Sequence, residues 1–440
     1  MEFVVLLIFV LGYIAITLEH NLKIDKLVPA LGMMGLAWAV IALSHLPVFE
    51  ISEHGLDAAG MESVLLHHFG KTCEILIFLV GAMTIVEIID HFDGFSTIKK
   101  FVKTNQKKTL LWIVAILAFI LSAIIDNLTA TIVLITILAK LLDKREDRIW
   151  YVGIIIITAN AGGAWSPIGD VTTTMLWMGE KVTTLKLMEH LILPSLICMA
   201  VPTFIASFLA PFRGTFEAPA EDGTPANKYS STMLYLGLGL IVAVPIFKTA
   251  THLPPYIGMM LSLAIFTIFA EIFSKREFEM SHATSGQTHS PVHGALSRIE
   301  MPSLLFFLGI LMAVAALESL GMIFHFGQTV DASIGTDLFV ILLGFASAIV
   351  DNVPLVAAGM GMFPEMAMDH PDWHLIAFTA GTGGSMLIIG SAAGVVAMGM
   401  EKIDFFWYLK NIAWLAFIGY AAGVAAFYFF NHFLFEALGI

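Results

Sequence analysis

Charge is scarce in this chain. Asp, Glu, Lys and Arg make up 13% of its 440 residues, about half the share of an ordinary soluble domain. Basic residues are the scarcer kind: 22 Lys and Arg against 35 Asp and Glu leave a net charge of −13. A nucleic-acid partner needs a basic face, so that class is excluded. Cysteine is limited to Cys73 and Cys198, both inside apolar stretches. They read as small hydrophobes and exclude a disulfide framework or a thiolate metal centre. The opening stretch, MEFVVLLIFVLGYIAITL, lacks a basic n-region and a small-residue cleavage site. It reads as a spanning helix rather than a signal peptide.

What the chain has instead is apolar length. Hydrophobic residues make up 58% of it, in successive segments near or above the ~20 residues that span a bilayer. The expected fold class is an all-α polytopic membrane protein, with the lipid bilayer as its main partner and no soluble protein partner implied.

Two of these segments hold an expensive feature. Residues 122–127 read Ser-Ala-Ile-Ile-Asp-Asn, and residues 347–352 read Ser-Ala-Ile-Val-Asp-Asn. A carboxylate at the centre of a spanning helix costs roughly 2.5 to 3.5 kcal/mol on insertion scales. One could be an accident; the same six-residue frame twice indicates a duplicated unit. Asp126-Asn127 and Asp351-Asn352 are therefore candidate functional residues.

The loops suggest how each copy enters the membrane, since Lys and Arg of short loops stay cytoplasmic. Segment 109–142 is preceded by Lys99, Lys100, Lys103, Lys107 and Lys108 and ends in Lys140, Lys144, Arg145 and Arg148. Both ends read as inside, so the segment is expected to be a re-entrant hairpin with Asp126-Asn127 at its tip. The flanks of the second copy, 334–363, taken as 326–337 and 364–374, contain Asp331, Asp337, Glu365, Asp369 and Asp372 and no Lys or Arg. It is expected to enter from the opposite face.

Each hairpin precedes a helix that should be broken. In 150–178, the run from Gly162 to Gly169 holds three Gly and one Pro in eight residues; 373–400 carries Gly381, Gly383, Gly384, Gly390 and Gly394. Such backbone does not hold a continuous helix, and at membrane depth it is tolerated only inside protein or beside a water-filled cavity. This is the pattern of inverted-topology repeats. The expected organisation is scaffold helices in 1–71, a first unit in 72–210, linking helices and cytoplasmic loops in 211–300, and a second unit in 301–440. Histidines 282, 289 and 293 read as part of a solvated linker.

The candidate ligand set is Asp126, Asn127, Thr129, Asn160, Asp170, Thr172, Thr173, Asp351 and Asn352, supported by Ser122, Ser347, Ser385 and Glu74. It is rich in oxygen and contains no Lys, Arg or His. Carboxylates with hydroxyl and amide oxygens suit a small hard cation. They can also hold protons, because burial and mutual repulsion disfavour the ionised form. Asp170 aligns with Ser391 and Asn160 with Gly381, so the acid-rich first unit is expected to hold the primary ion, Na⁺, at Asp126, Asn127 and Asp170. Glu74, placed near the outer end of its helix, reads equally as interfacial solvation. Glu87, Asp90 and Glu318 read as cheap charges toward helix ends. No cofactor is expected.

These motifs, with Asn-Ala-Gly-Gly-Ala-Trp-Ser-Pro-Ile-Gly-Asp-Val-Thr-Thr at 160–173, resemble the NhaD-type Na⁺/H⁺ antiporters of the ion transporter superfamily. The resemblance implies an antiporter of a bacterial inner membrane that exchanges Na⁺ or Li⁺ for H⁺, most active at alkaline pH. It also implies a homodimer with an elevator-like motion, and functional roles for the polar residues just named. The dicarboxylate branch carries Ser-Asn-Thr at its hairpin tips, where this chain has Asp-Asn; that moves the reading away from an anion. A same-fold carrier of arsenite or a dicarboxylate stays open as an alternative. An intramembrane aspartyl protease is more remote, because Pro167-Ile168-Gly169 before Asp170 lacks the first glycine of its Gly-x-Gly-Asp signature.

Overall fold

The computed structural model describes residues 1–52, 55–99, 102, 104–216, 227–281 and 290–431. Lys100, Lys103, His282 and His289 lie outside the described residues. Among those described, seven helices are long and apolar enough to cross a membrane, or eight if one bent pair counts as a span. The protein is a multi-pass membrane protein. Large apolar side chains such as Leu36, Leu43, Phe204 and Ile246 remain exposed on the outer helices, where lipid takes the place of a core.

Both hexads sit where a helix ends and another begins. The first hairpin is Lys107–Ile125 followed by Asn127–Ala139, with Asp126 alone between them. The second is Thr336–Ser347 followed by Asn352–Met362. The glycine-rich runs break their helices as expected: Arg145–Gly163 resumes as Val171–Met178, and Pro371–Gly383 resumes as Ala392–Glu401. All four resuming half-helices start on a short polar cap. Asp126 accepts from Thr129 N, Asp170 from Thr172 N, Asp351 from Val353 N and Ser391 from Gly394 N. Asp and Ser favour that position because a side-chain oxygen satisfies an orphan N–H of the first turn.

The two copies pack alike. Ser122 Oγ donates to Ala159 O at 2.6 Å, and Ser347 Oγ donates to Ala380 O at 2.7 Å. Each bond ties an entering arm to the broken helix that follows it. A Cβ on Gly162 would overlap the backbone of Phe119, and one on Gly383 the backbone of Gly344; glycine there lets arm and helix touch. The resumed halves then cross over. Val171–Met178 packs on the second hairpin's Asn352–Met362, while Ala392–Glu401 packs on the first hairpin's Asn127–Ala139. The units are thereby interlocked. A buried ion pair adds to this: Arg148 holds both Glu401 carboxylate oxygens at 2.8 and 3.1 Å.

One expectation needs correction, and two stretches carry structure of their own. The helix carrying Glu74 begins at Met61, about three and a half turns earlier in the chain than Glu74, so Glu74 is not near a helix end. The stretch before it holds an antiparallel strand pair, Val48–Ser52 with Gly55–Ala59. The acidic flank 326–337 is largely helical: Met322–Ile334 meets Thr336–Ser347 at a 113° bend. Gly335, with φ of 77°, makes that corner, a conformation glycine adopts without a Cβ clash.

Candidate ion-binding site

Asp170 is the centre on which the other groups converge. It is 2% exposed. Its Oδ1 accepts from Thr172 N at 2.8 Å and Thr172 Oγ1 at 2.6 Å. Its Oδ2 accepts from Asn127 Nδ2, at the first hairpin tip, at 2.7 Å. Asn352 Nδ2, at the second tip, reaches both carboxylate oxygens at 3.4 and 3.5 Å. Two residues 225 positions apart in one repeated hexad therefore meet on one carboxylate. Asn127 also donates to Asn160 Oδ1 at 2.9 Å, and Asn160 Nδ2 donates to Ser391 Oγ at 3.1 Å. Ser391 occupies the place of Asp170 in the second unit, so all four half-helix starts join one network.

That convergence settles the electrostatics. The N-terminus of a helix carries a partial positive charge and favours an anion. Here the chain supplies its own anions, Asp126, Asp170 and Asp351, on three of the four half-helices. Asp126 lies within Coulombic reach of Asp170, and Asp170 of Asp351.

Asp126 is more exposed than Asp170 and is held by its own hairpin. It accepts from Thr129 N at 2.7 Å and Thr129 Oγ1 at 2.9 Å. Its backbone sits at φ 81° and ψ 159°, a region close to glycine-only. Holding another residue there costs about 1 to 3 kcal/mol, and the two Thr129 bonds help impose it.

Other candidates serve different positions. Thr173 Oγ1 donates to the Asp170 backbone carbonyl, not to its carboxylate. Ser122 and Ser347 clamp hairpins to broken helices. Ser385 donates to Thr382 O within its own turn, while its carbonyl accepts from Tyr408 OH; it stays apart from the cluster. Glu74 lines a cavity of about 720 Å³ together with Lys71, Met175, Lys181, Glu318 and Met360. Glu318 is near the end of its helix, Met301–Ser319, yet it faces this cavity. Burial lowers the pKa of Lys181 in the connecting turn, and the Glu318 carboxylate opposes that shift.

One residue overturns the expectation that no cation lies among the ligands. Lys26 Nζ is 3.4 Å from Asp351 Oδ2. A lone lysine that opens an apolar helix, Leu27–Leu43, was the available clue, but nothing in the chain pointed to its partner.

The comparisons agree with this architecture. A family model described as "Citrate transporter", CitMHS, matches residues 6–383. "Sodium/proton antiporter 1" of Arabidopsis thaliana is 43% identical over 438 residues, covering 98% of this chain and 73% of that protein. "Na(+)/H(+) antiporter NhaD" of Alkalimonas amylolytica is 32% identical over 466 residues, covering 99% of this chain and 92% of the other. Among solved structures, the Alcanivorax borkumensis YdaH transporter aligns with a TM-score of 0.53 at 12% identity, covering 92% of this chain and 97% of that one. At that identity it shows the fold alone.

Proposed function

We propose that this chain, which belongs to the CitMHS citrate transporter family and within it to the NhaD-type Na⁺/H⁺ antiporters, exchanges Na⁺ for H⁺ across a membrane. The observation that carries this reading is the buried Asp170 gripped from both hairpins. Asn127 commits both amide hydrogens, to Asn160 and Asp170. Its Oδ1 is then the atom left for a cation, beside the carboxylates of Asp126 and Asp170. Thr129, Thr172 and Thr173 supply or orient the remaining oxygens. Hard oxygen donors without thiolate or imidazole suit Na⁺ and Li⁺.

Exchange follows from competition. Two carboxylates close together in a dry site do not both stay ionised without a counter-charge. Either a cation neutralises them or protons do, so binding of one expels the other. The hairpin tips and half-helix starts meet at this point, which supports assigning them as the moving parts of alternating access. The two units, 72–210 and 301–440, are assigned opposite orientations in the membrane. We place the protein in a bacterial inner membrane as a homodimer, serving sodium and alkaline-pH homeostasis.

The charge balance disfavours an anionic cargo such as citrate. Asp126, Asp170 and Asp351 against Lys26 alone leave two negative charges uncompensated, and a polycarboxylate would need cationic partners there. The test is proton flux in energised vesicles, read by a ΔpH-sensitive dye while Na⁺, Li⁺, K⁺ or citrate is added. Collapse of ΔpH by Na⁺ and Li⁺, lost in Asp170→Asn, is expected. A response to citrate alone would replace the antiporter with an anion carrier.

A further inference from the structure

The two hairpin tips share a hexad but not the residue that follows it by two positions. After Asp126-Asn127-Leu128 comes Thr129; after Asp351-Asn352-Val353 comes Pro354. Thr129 gives Asp126 two hydrogen bonds, one from its N–H and one from its hydroxyl. Proline has neither group. Asp351 is left with Val353 N at 3.3 Å and turns its other oxygen to Lys26 at 3.4 Å. The Lys26 ammonium is fixed from a second side, 4.4 Å from the centre of the Phe306 ring, a geometry that attracts a cation. Lys26 and Asp351 side chains are only 23% and 16% exposed. Meanwhile Asn352, next to Asp351, points to Asp170.

We propose that Lys26 is the resident cation of the second half-site. Its ammonium holds beside Asp351 the place that a transported cation takes beside Asp126 and Asp170. Duplication would otherwise provide two cation sites. A proline and a tethered lysine reduce them to one, so each chain binds a single transported cation per cycle. The lysine precedes Leu27–Leu43, which packs on Met301–Ser319, the helix bearing Phe306. The resident charge therefore comes from an element outside both hairpins. This inference rests on the antiporter reading and adds its ion count.

The test is equilibrium binding of radioactive Na⁺ to the purified full-length protein in lipid nanodiscs. Wild type should bind one Na⁺ per chain. Lys26→Met, which leaves Asp351 without its counter-ion, should bind two, and Lys26→Arg should bind one. A wild-type count of two, or a Lys26→Met count that stays at one, overturns the inference while leaving the antiporter intact. No Na⁺ binding by wild type removes the antiporter reading, and the inference falls with it. If Lys26→Met fails to insert, Lys26→Gln takes its place with the same expected count, and the wild-type count remains decisive.

Discussion

The two hexad tips are built on one plan and hold their carboxylates differently. Both place an Asp at the start of a half-helix, both send the next Asn to Asp170, and both are clamped by a serine hydroxyl on a broken helix. The first tip holds its Asp by hydrogen bonds, in a strained backbone at φ 81°. The second holds its Asp at φ −50° and gives it an ammonium. Hydrogen bonds from neutral groups leave a carboxylate able to bind a cation; a lysine neutralises it. The two tips share their hexad and their serine clamp, but differ in the charge beside the Asp.

The comparison is open to attack at several points. Asp170, shared by both tips, carries the largest expected effect. Asp170→Asn leaves the buried donors around it poorly matched, and one buried donor left unsatisfied costs about 1 to 3 kcal/mol. Exchange in reconstituted vesicles should fall to background, while the variant still elutes as a folded protein. Retained exchange would move the site away from Asp170.

The two Asn residues should differ next. Asn127 donates at 2.7 Å and Asn352 at 3.4 to 3.5 Å. A hydrogen bond to a charged group is worth about 1.5 to 3 kcal/mol, so Asn127→Ala should weaken Na⁺ affinity by roughly thirtyfold. Asn352→Ala should weaken it by less than about tenfold, since its contact lies at the outer limit of a hydrogen bond. Titration of each variant with Na⁺ decides this; equal losses would mean that the tips contribute equally.

Backbone strain provides a contrast of opposite sign. Asp126→Gly should abolish exchange but raise thermal stability by about 1 kcal/mol, because glycine tolerates the first tip's backbone. Asp351→Gly relieves nothing at φ −50°, and it leaves Lys26 unpaired. It should lower the melting temperature. A fluorescence melt of the two purified variants checks the sign of each change.

The smallest expected difference tests what the tips share. Ser122→Ala and Ser347→Ala each delete one buried bond of nearly equal length, worth about 1 kcal/mol. Their melting temperatures should fall equally. A clear inequality would mean that the clamps, as well as the charges, have diverged.

Much of this was legible in the chain. The helix junctions at the two hexads follow from a rule of local chemistry: Asp inside an apolar run ends one helix and caps the next. The helix breaks follow from glycine and proline, and the membrane class from apolar length. The repeated hexad was visible as such, and it marks the two junctions that pack alike. Glu74 was misplaced because its helix extends upstream through Met61-Glu62-Ser63 and His67-His68, residues too polar to read as part of a span.

Local sequence therefore determined where helices start, stop and turn, because those choices depend on residues within about four positions of one another. Tertiary structure decided the partners. Lys26 meets Asp351 across 325 positions, Asn352 meets Asp170 across 182, and Asn160 meets Ser391 across 231. Such meetings depend on how helices pack and in what register, through contacts such as glycine backbones touching hairpin arms. No periodicity in one segment reports on the face of another. The decisive case is the charge at the second tip: Pro354 shows that Asp351 lacks the two donors that Thr129 gives Asp126, but only the folded chain brings Lys26 to it.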